Sequence, residues 1–239
     1  ADLNPIDQPL DGLSSWNGNP FLETQKTHRF SLQYQYKRTS MELSYSNTSD
    51  YFVSITDTLG TNKTVVTPLN LGRQEYYGMS LSQSLRLFKA MDVYFSGRVY
   101  YLDNQLAFDK NRCYNRSRWA YGLMLQTSFP LFWGIKSEIL GIYASKRLGG
   151  STEMLGANYQ INVGLQKTFL NNRAIVKLSM SDIFWTSNWD NINKFTGFES
   201  INYGHSESRL VRLNLTFKFG GNKNNYSKKS KVEMEMNRF

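Results

Sequence analysis

The chain has 239 residues, of which 40% are apolar and 15% aromatic, and it carries a formal net charge of +9. This composition suits one large folded domain and excludes a disordered protein, and the single cysteine, Cys113, excludes a scaffold held by internal disulfides. No stretch approaches the ~18 consecutive apolar residues of a membrane helix. A membrane β-barrel is not excluded by this observation, because polar residues alternate with apolar ones along each strand of such a barrel.

The two ends of the chain differ from the rest. Residues 1–24 are broken by Pro5, Pro9 and Pro20, so we expect an extracellular loop segment there and no membrane strand. They lack the charged start and apolar core of a signal peptide, so either such a peptide has been removed or the chain begins inside a longer one, and we expect the second. Residues 220–239 form a basic, polar tail, whereas a nucleic-acid surface requires basic residues interleaved with aromatics on one folded face. We predict a periplasmic tail that is dispensable for membrane insertion, and no nucleic-acid partner.

Between these ends, apolar and polar residues alternate with the period of a β-strand. In residues 28–37, for example, Phe30, Leu32, Tyr34 and Tyr36 alternate with serine, glutamine and lysine. No helical period competes in such segments. The pattern predicts nine strands, at residues 28–37, 40–46, 77–85, 91–101, 118–129, 134–145, 159–167, 174–184 and 209–219.

Short and long connections alternate between these strands. Turns of three or four residues, such as LNNR, alternate with long connections around residues 56–63, 102–115, 147–155 and 186–208. Aromatic residues gather at the short turns and again where strands meet the long connections, the second group being Tyr51, Phe52, Tyr101, Trp119, Tyr143, Phe184 and Trp185. Two aromatic belts around an apolar outer face are typical of an outer-membrane barrel with periplasmic turns and extracellular loops.

A soluble β-sandwich also alternates apolar and polar residues. Its strands are typically ~5–6 residues long, whereas several here alternate for about ten residues, close to the ~9–11 that a tilted strand needs to cross a membrane. We therefore predict an all-β fold, an antiparallel transmembrane β-barrel with about nine strands in residues 25–219. The sandwich, as a soluble binding module, is the alternative that detergent dependence would test.

Four segments resemble a known family. They are GNPFLETQKTHRFSLQYQYK (residues 18–37), LNLGRQEYYGMSLS (69–82), KLSMSDIFWTSNW (177–189) and SESRLVRLNLTFKFGGNK (206–223). They resemble the C-terminal barrel region of TonB-dependent receptor-like outer-membrane proteins of the Bacteroidetes type. The resemblance implies a larger, 22-stranded barrel with an N-terminal plug and a periplasmic motif that engages an energy-coupling protein. Neither the plug nor that motif is found in this sequence.

The resemblance also implies a role and a set of partners. The role is energy-coupled uptake of a large nutrient through the bacterial outer membrane. The partners are outer-membrane lipid, the barrel-assembly machinery, the energy-coupling protein and a surface lipoprotein. The alternative from the residues alone is a small self-contained barrel that acts as a passive pore or a structural anchor.

The sequence carries no recognisable catalytic or metal-binding pattern. The two histidines, His28 and His205, have no cysteine or carboxylate beside them at metal-ligand spacing. The sequence contains no nucleophile elbow, phosphate-binding glycine loop or dinucleotide fingerprint. We therefore expect no enzyme, no metal and no cofactor.

Alternation does give three sets of candidate functional residues. The lumen-facing candidates are Gln33, Gln35, Glu42, Asp92, Arg98, Arg118, Lys136, Glu138, Gln160, Asn162, Arg212 and Asn214. The candidates for ligand contact in the extracellular loops are Trp185, Trp189, Asn191 and Tyr203. The predicted signal for the assembly machinery, in the last strand, is Val211, Leu213, Leu215, Phe217 and Phe219. For the lumen-facing candidates, polarity alone predicts only a hydrated wall. The aromatic residues among the loop candidates would suit glycans, peptides or metal chelates equally well as ligands.

The strand count carries one more prediction. Nine strands with alternating direction leave the first and the last running the same way, so joining them would create a parallel pair. Single-chain bacterial barrels have an even number of antiparallel strands. We therefore predict that residues 1–239 do not close a barrel by themselves, and that further strands come from the parent chain or from another copy.

Overall fold

The computed structural model describes residues 2–59, 63–88, 90–109, 112–149, 152–195 and 198–219. The fold over these ranges is all-β. The only helical element among them is a single 3-10 turn at Phe132–Gly134. None of the described ranges holds a helix with the length and apolar content needed to cross a membrane. The predicted tail, residues 220–239, lies outside the described residues.

Fifteen strands are numbered in chain order. They are β1 (Gln8–Pro9), β2 (Ser14–Trp16), β3 (Lys26–Tyr36), β4 (Thr39–Leu59), β5 (Lys63–Leu87), β6 (Met91–Asp109), β7 (Arg112–Pro130), β8 (Ile135–Ala144), β9 (Arg147–Leu148), β10 (Glu153–Leu155), β11 (Asn158–Phe169), β12 (Ala174–Ser181), β13 (Asn188–Phe195), β14 (Phe198–His205) and β15 (Leu210–Phe217).

Nine of these strands form one antiparallel sheet in the order β3, β4, β5, β6, β7, β8, β11, β12, β15. The predicted count of nine is confirmed. Several predicted strand ends are wrong, including those of the last two strands of this sheet. β12 stops at Ser181 and not at residue 184, because Asp182 takes a left-handed φ of 46°. β15 stops at Phe217, two residues before Phe219.

Tight turns join the strands at one end of this sheet, the short-turn end. Lys37, Phe88 and Trp133 adopt φ values of 50°, 51° and 58° there. The LNNR turn carries positive φ at three consecutive residues, two of which are asparagines. Asparagine tolerates the left-handed region better than most residues. The short turns predicted from the sequence are therefore confirmed.

The sheet has an apolar face and a polar face. Pairing registers bring aromatic residues from β3 to β7 into one row on the apolar face, and these are Phe30, Tyr45, Tyr77, Tyr101 and Trp119. Neighbouring rings in this aromatic row lie close together, with centroids 6.4 Å apart for Phe30 and Tyr45, 4.9 Å for Tyr45 and Tyr77, and 5.2 Å for Tyr101 and Trp119. Exposed apolar side chains continue from the row toward the short-turn end, as in β7 at Tyr121, Leu123 and Leu125.

The strands from β4 to β7 extend far beyond the aromatic row. They contain 21, 25, 19 and 19 residues, about twice the ~9–11 needed to cross a membrane. The expected long loops at residues 56–63 and 102–115 are therefore wrong, since their described residues belong to two extended hairpins, in which residues 56–59 pair with 63–66 and residues 102–109 pair with 112–118. The alternation is lost because β4 and β5 slip in register between Thr48 and Phe52, where Asp50 has a φ of 54°. A bulge of this kind exchanges the faces on which side chains lie.

The extended hairpins have a small core of their own. Val53, Ile55 and Leu106 are buried there, and the partly buried Tyr51 and Tyr114 pack against them. The assignment of Tyr51 to an aromatic belt is wrong, because the bulge turns this residue toward the core. Tyr45 and Tyr77 occupy the belt position instead.

The remaining strands lie at the same end as the extended hairpins. β14, β13, β10 and β9 form a separate four-stranded antiparallel sheet, here called the small sheet. Residues 147–155 and 186–208, predicted as loops, supply these strands. The N-terminal arm also attaches here, since β2 pairs with β5 at Ser14 and Thr64 and the Glu23 backbone N–H donates to Asn70 Oδ1 at 2.8 Å.

The sheet of nine strands has two free edges in the described residues. β3 pairs only with β4, and β15 pairs only with β12. Both edge strands run toward the short-turn end, since Tyr36 faces Thr39 across one turn and Phe217 faces Ala174 beside another. The direction predicted for the first and last strands is therefore observed.

Candidate functional site

The polar face collects the residues predicted for the lumen. Gln33, Glu42, Ser80 and Arg98 are successive cross-strand partners from β3 to β6, and the other candidates occupy the same face by register. All twelve residues therefore share one face, opposite the aromatic row. Their position in a lumen stays a prediction.

Neighbours on this face pair several of the charges. Glu138 accepts a hydrogen bond from Gln126 at 2.5 Å and lies 3.6 Å from Lys177 Nζ. Asp92 pairs with Arg86 at 2.7 Å. In the ranges that the structure describes, no three side chains of the His, Cys, Asp and Glu types converge as metal ligands would. These pairs are what a hydrated wall requires.

A depression of about 350 Å³ opens on the polar face of β3, β4 and β5, lined by Arg29, Glu42, Ser44, Ser46, Gln74 and Tyr76. The Tyr76 ring lies across Gly78, where any Cβ would overlap it. Tyr76 stacks on Tyr100 at 5.4 Å, and the Arg98 guanidinium lies 5.8 Å from the Tyr100 ring centre. Sequence reasoning missed Arg29, Tyr76 and Tyr100. The Tyr76-Tyr77 doublet was the available signal, because adjacent tyrosines lie on opposite faces of a strand.

A buried carboxylate organises the chain where β12 ends. Asp182 is fully buried and accepts hydrogen bonds from the backbone N–H groups of Thr186 and Ser187, both at 2.9 Å, and from the Ser208 hydroxyl at 2.5 Å. Its own backbone N–H donates to Asn162 at 2.8 Å. Burial raises the pKa of Asp182, but the hydrogen bonds from Ser208, Thr186 and Ser187 outweigh it and lower the pKa to about 2. Asp182 therefore ties both ends of the β13–β14 hairpin to the main sheet.

The four residues predicted for ligand contact lie beyond this carboxylate but not in one cluster. Trp185 has a φ of 55° and stacks on His205 with the ring centres 4.8 Å apart. The Arg209 guanidinium lies 5.8 Å from the centre of the Trp185 ring. Trp189 and Asn191 share one face of the small sheet, where Trp189 pairs with Gly204. Tyr203 pairs with Asp190 and is 78% exposed on the opposite face. The structure thus brings together only Trp189 and Asn191.

Comparison with known proteins identifies the family. A family model described as "Outer membrane protein beta-barrel family" matches residues 1–217. The chain belongs to the outer membrane protein beta-barrel family. No curated protein and no solved structure matches it.

Membership in this family allows the apolar face of the sheet to be compared with the lipid-facing surface of outer-membrane barrels. The chain is an outer-membrane protein, and barrels of this kind present an apolar band ~25 Å tall, bordered by aromatics, to lipid. The ten residue steps from Trp119 to Phe129 span about 34 Å along the strand at ~3.4 Å each. A tilt of ~40° reduces this to about 26 Å. The aromatic row fits one border of such a band.

The last strand of this outer-membrane barrel carries the residues predicted as an assembly signal. Val211, Leu213, Leu215 and Phe217 alternate along β15 and are all exposed. Phe219 lies outside the strand, with its ring centre 4.6 Å from that of Phe217. The structure therefore keeps the five side chains near one another, and their recognition by the assembly machinery stays a prediction.

Proposed function

We propose that this chain forms the C-terminal part of an outer-membrane receptor barrel for energy-coupled, TonB-dependent uptake of a large nutrient. In this proposal the short-turn end and the C-terminus face the periplasm. The extended hairpins and the small sheet lie outside the cell. A passive pore or structural anchor is the competing function.

The observation that carries this proposal is the shared direction of the two free edges, β3 and β15. Pairing them would create a parallel contact, which even-numbered antiparallel barrels avoid. Leaving them free in lipid would expose unpaired backbone groups at several kcal/mol each. Further strands must therefore lie between β3 and β15, and they give a barrel larger than nine strands.

A larger barrel favours a receptor over a simple anchor. Barrels of 16–18 strands leave an aqueous channel, and the largest outer-membrane transporters hold a plugged lumen. Glu138 is paired with Lys177, and Asp92 is paired with Arg86. Such charge pairs suit a wall that faces water or a plug. We propose that a plug and a motif for the periplasmic energy-coupling protein lie in the parent protein, with a surface lipoprotein as a further partner.

The experiment that tests this proposal begins with the natural protein in its own outer membranes. An antibody against residues 1–239 should detect a product much larger than the 27.7 kDa of this chain. In planar bilayers the purified natural protein should give no steady conductance, because a plug closes the lumen. A natural product near 27.7 kDa with a steady open-pore conductance would contradict the receptor and favour the passive pore.

A further inference from the structure

The apolar face of the main sheet carries a single charged residue. Between the aromatic row and the short turns, every second residue of the nine strands lies on this face by register. Lys167 of β11 is the only charged residue at these positions in the described strands. It lies beside Ile135 of β8 and Val176 of β12, near the short-turn end. A lysine on the lipid face of a barrel is tolerated only near a border of the membrane.

The ammonium group of Lys167 lies against an aromatic ring at that border. Its Nζ is 5.0 Å from the ring centre of Phe169, which is the last residue of β11. A cation in this position is attracted by the face of the ring. The hydrocarbon stem of a lysine covers apolar surface while its charge reaches the headgroup region. Lys167 therefore places a positive charge at the level of lipid headgroups.

Two further cations follow at this end of the sheet. Arg173 comes directly before β12, and Lys218 comes directly after β15. The Lys218 backbone N–H donates to the Arg173 carbonyl oxygen at 2.8 Å, so the two chain segments are adjacent. Lys167, Arg173 and Lys218 are here called the basic patch. None of the three forms an ion pair with a carboxylate in the part of the chain that the structure describes.

Exposed apolar side chains border the basic patch. Phe169 of β11 and Phe217 of β15 are both cross-strand neighbours of Ala174, and they are 42% and 48% exposed. Leu170, in the turn that follows β11, is 64% exposed. This end of the apolar face therefore combines apolar area that suits acyl chains with cations that suit a headgroup.

We propose that the basic patch binds the phosphate of an anionic phospholipid in the inner leaflet of the outer membrane. Lysine and arginine side chains only donate hydrogen bonds, and their bonds to phosphate oxygens are strengthened by charge. Three cations without a neighbouring carboxylate favour a headgroup with a net negative charge over a zwitterionic one. The inference rests on the proposed function only in placing the short-turn end at the periplasmic side, where the inner leaflet lies.

The test is lipid retention by the purified natural protein in detergent, measured by native mass spectrometry. Dioleoyl phosphatidylglycerol, dioleoyl phosphatidylcholine and lipid A are offered separately at equal concentrations. The protein should retain phosphatidylglycerol more strongly than either of the other two. Lys167→Gln and Arg173→Gln should each weaken phosphatidylglycerol retention about five-fold, which is the contribution of one basic residue near a headgroup. Neither change should alter phosphatidylcholine retention.

Lys136→Gln is the matched control. Lys136 follows Ile135, the cross-strand neighbour of Lys167, and so lies at the same level on the polar face. This variant should retain phosphatidylglycerol like the natural protein. Folding is checked by the heat-dependent electrophoretic mobility of an intact barrel. Should Lys167→Gln fail to fold, Arg173→Gln carries the test with the same expected loss.

Three results would overturn the inference. They are equal or stronger retention of phosphatidylcholine or lipid A by the natural protein, no loss with Lys167→Gln or Arg173→Gln, and an equal loss with Lys136→Gln. Because retention is measured without uptake, a passive pore that prefers phosphatidylglycerol would contradict the proposed function and leave this inference standing. A plugged receptor without that preference would contradict this inference alone.

Discussion

At the scale of single residues, Asp182 shows how one side chain can fix a connection. Its carboxylate satisfies two backbone N–H groups and the Ser208 hydroxyl where the β13–β14 hairpin leaves and rejoins the main sheet. Sequence reasoning placed Asp182 inside a strand. Its role was not visible there because its partners lie up to 26 residues away, whereas alternation reports only on neighbours.

Replacing Asp182 should destabilise the barrel. Asp182→Ala leaves the backbone N–H groups of Thr186 and Ser187 without their acceptor, and each buried donor left unpaired costs about 1–3 kcal/mol. The measurement is the temperature at which the folded electrophoretic band disappears. Asp190→Ala, a nearby carboxylate on the small sheet, is the control. Equal stability of Asp182→Ala and Asp190→Ala would contradict the role assigned to Asp182.

The lowered pKa of Asp182 also gives a pH dependence with a definite sign. The folded pKa is about 2 against an ordinary value of 3.8, so the unfolded chain takes up the proton first as the pH falls. The stabilisation is complete well above pH 3.8 and is lost as the pH falls toward 2. Asp182→Asn should lack this component. As the pH falls from 5 to about 2, the stability of Asp182→Asn relative to that of the natural protein should therefore rise. A constant difference over that range would contradict the assignment.

Gly72 is the second residue whose identity the structure explains. A Cβ there would overlap the backbone oxygen of Gln105 on the neighbouring strand, so Gly72→Ala should lower the amount of folded barrel in the outer membrane. Gly141 is the matched control, because a Cβ at that position meets only Leu125 O at an ordinary 3.9 Å. Equal folded amounts of Gly72→Ala and Gly141→Ala would contradict the close approach.

At the scale of elements, the sequence predicted the membrane strands well and the segments beyond them poorly. Between the aromatic row and the short turns, the strands of the main sheet alternate apolar and polar residues, as Phe30, Leu32 and Tyr34 do in β3, because one face is apolar and the other is wet. The bulge near Asp50 breaks this period, so the extended hairpin that follows was taken for a loop. The small sheet was missed for a related reason, since β9 and β10 have only two and three residues.

The last strand supplies a prediction at this scale. Phe217→Asp places a charge on the apolar face next to the short-turn end and should reduce the level of the natural protein in the outer membrane several-fold. Thr216→Asp is the control, because Thr216 pairs with Ile175 on the other face. Phe219→Asp should have the smaller effect of the two phenylalanine changes, since Phe219 lies outside the strand.

Quantitative blotting of outer-membrane fractions measures these three variants and the Phe217→Asp, Phe219→Asp double variant. A normal level of the Phe217→Asp, Phe219→Asp double variant would contradict the assembly role of this strand. Equal loss with Thr216→Asp would show that charge anywhere in the strand is harmful, which also contradicts a signal confined to the apolar face.

At the scale of the whole molecule, the predicted site divides into two parts. The twelve polar residues share a face because a strand period of two fixes them there, and the sequence was sufficient for that. It was not sufficient for Trp189 and Asn191, which were grouped with Trp185 and Tyr203 although the small sheet places Tyr203 on its opposite face. Which residues share that face depends on pairing among β10, β13 and β14, and a single run of sequence does not contain this information.

The central claim is that the nine strands are part of a larger barrel. The most direct test is a structure of the natural protein in detergent or lipid, determined by electron cryo-microscopy. The claim predicts that the free edge of β3 pairs with an antiparallel strand other than β15, and that β15 likewise meets a strand outside residues 1–239. Hydrogen bonds between residues 30–36 and residues 211–217 of one molecule would contradict the claim and make the small self-contained barrel the correct description.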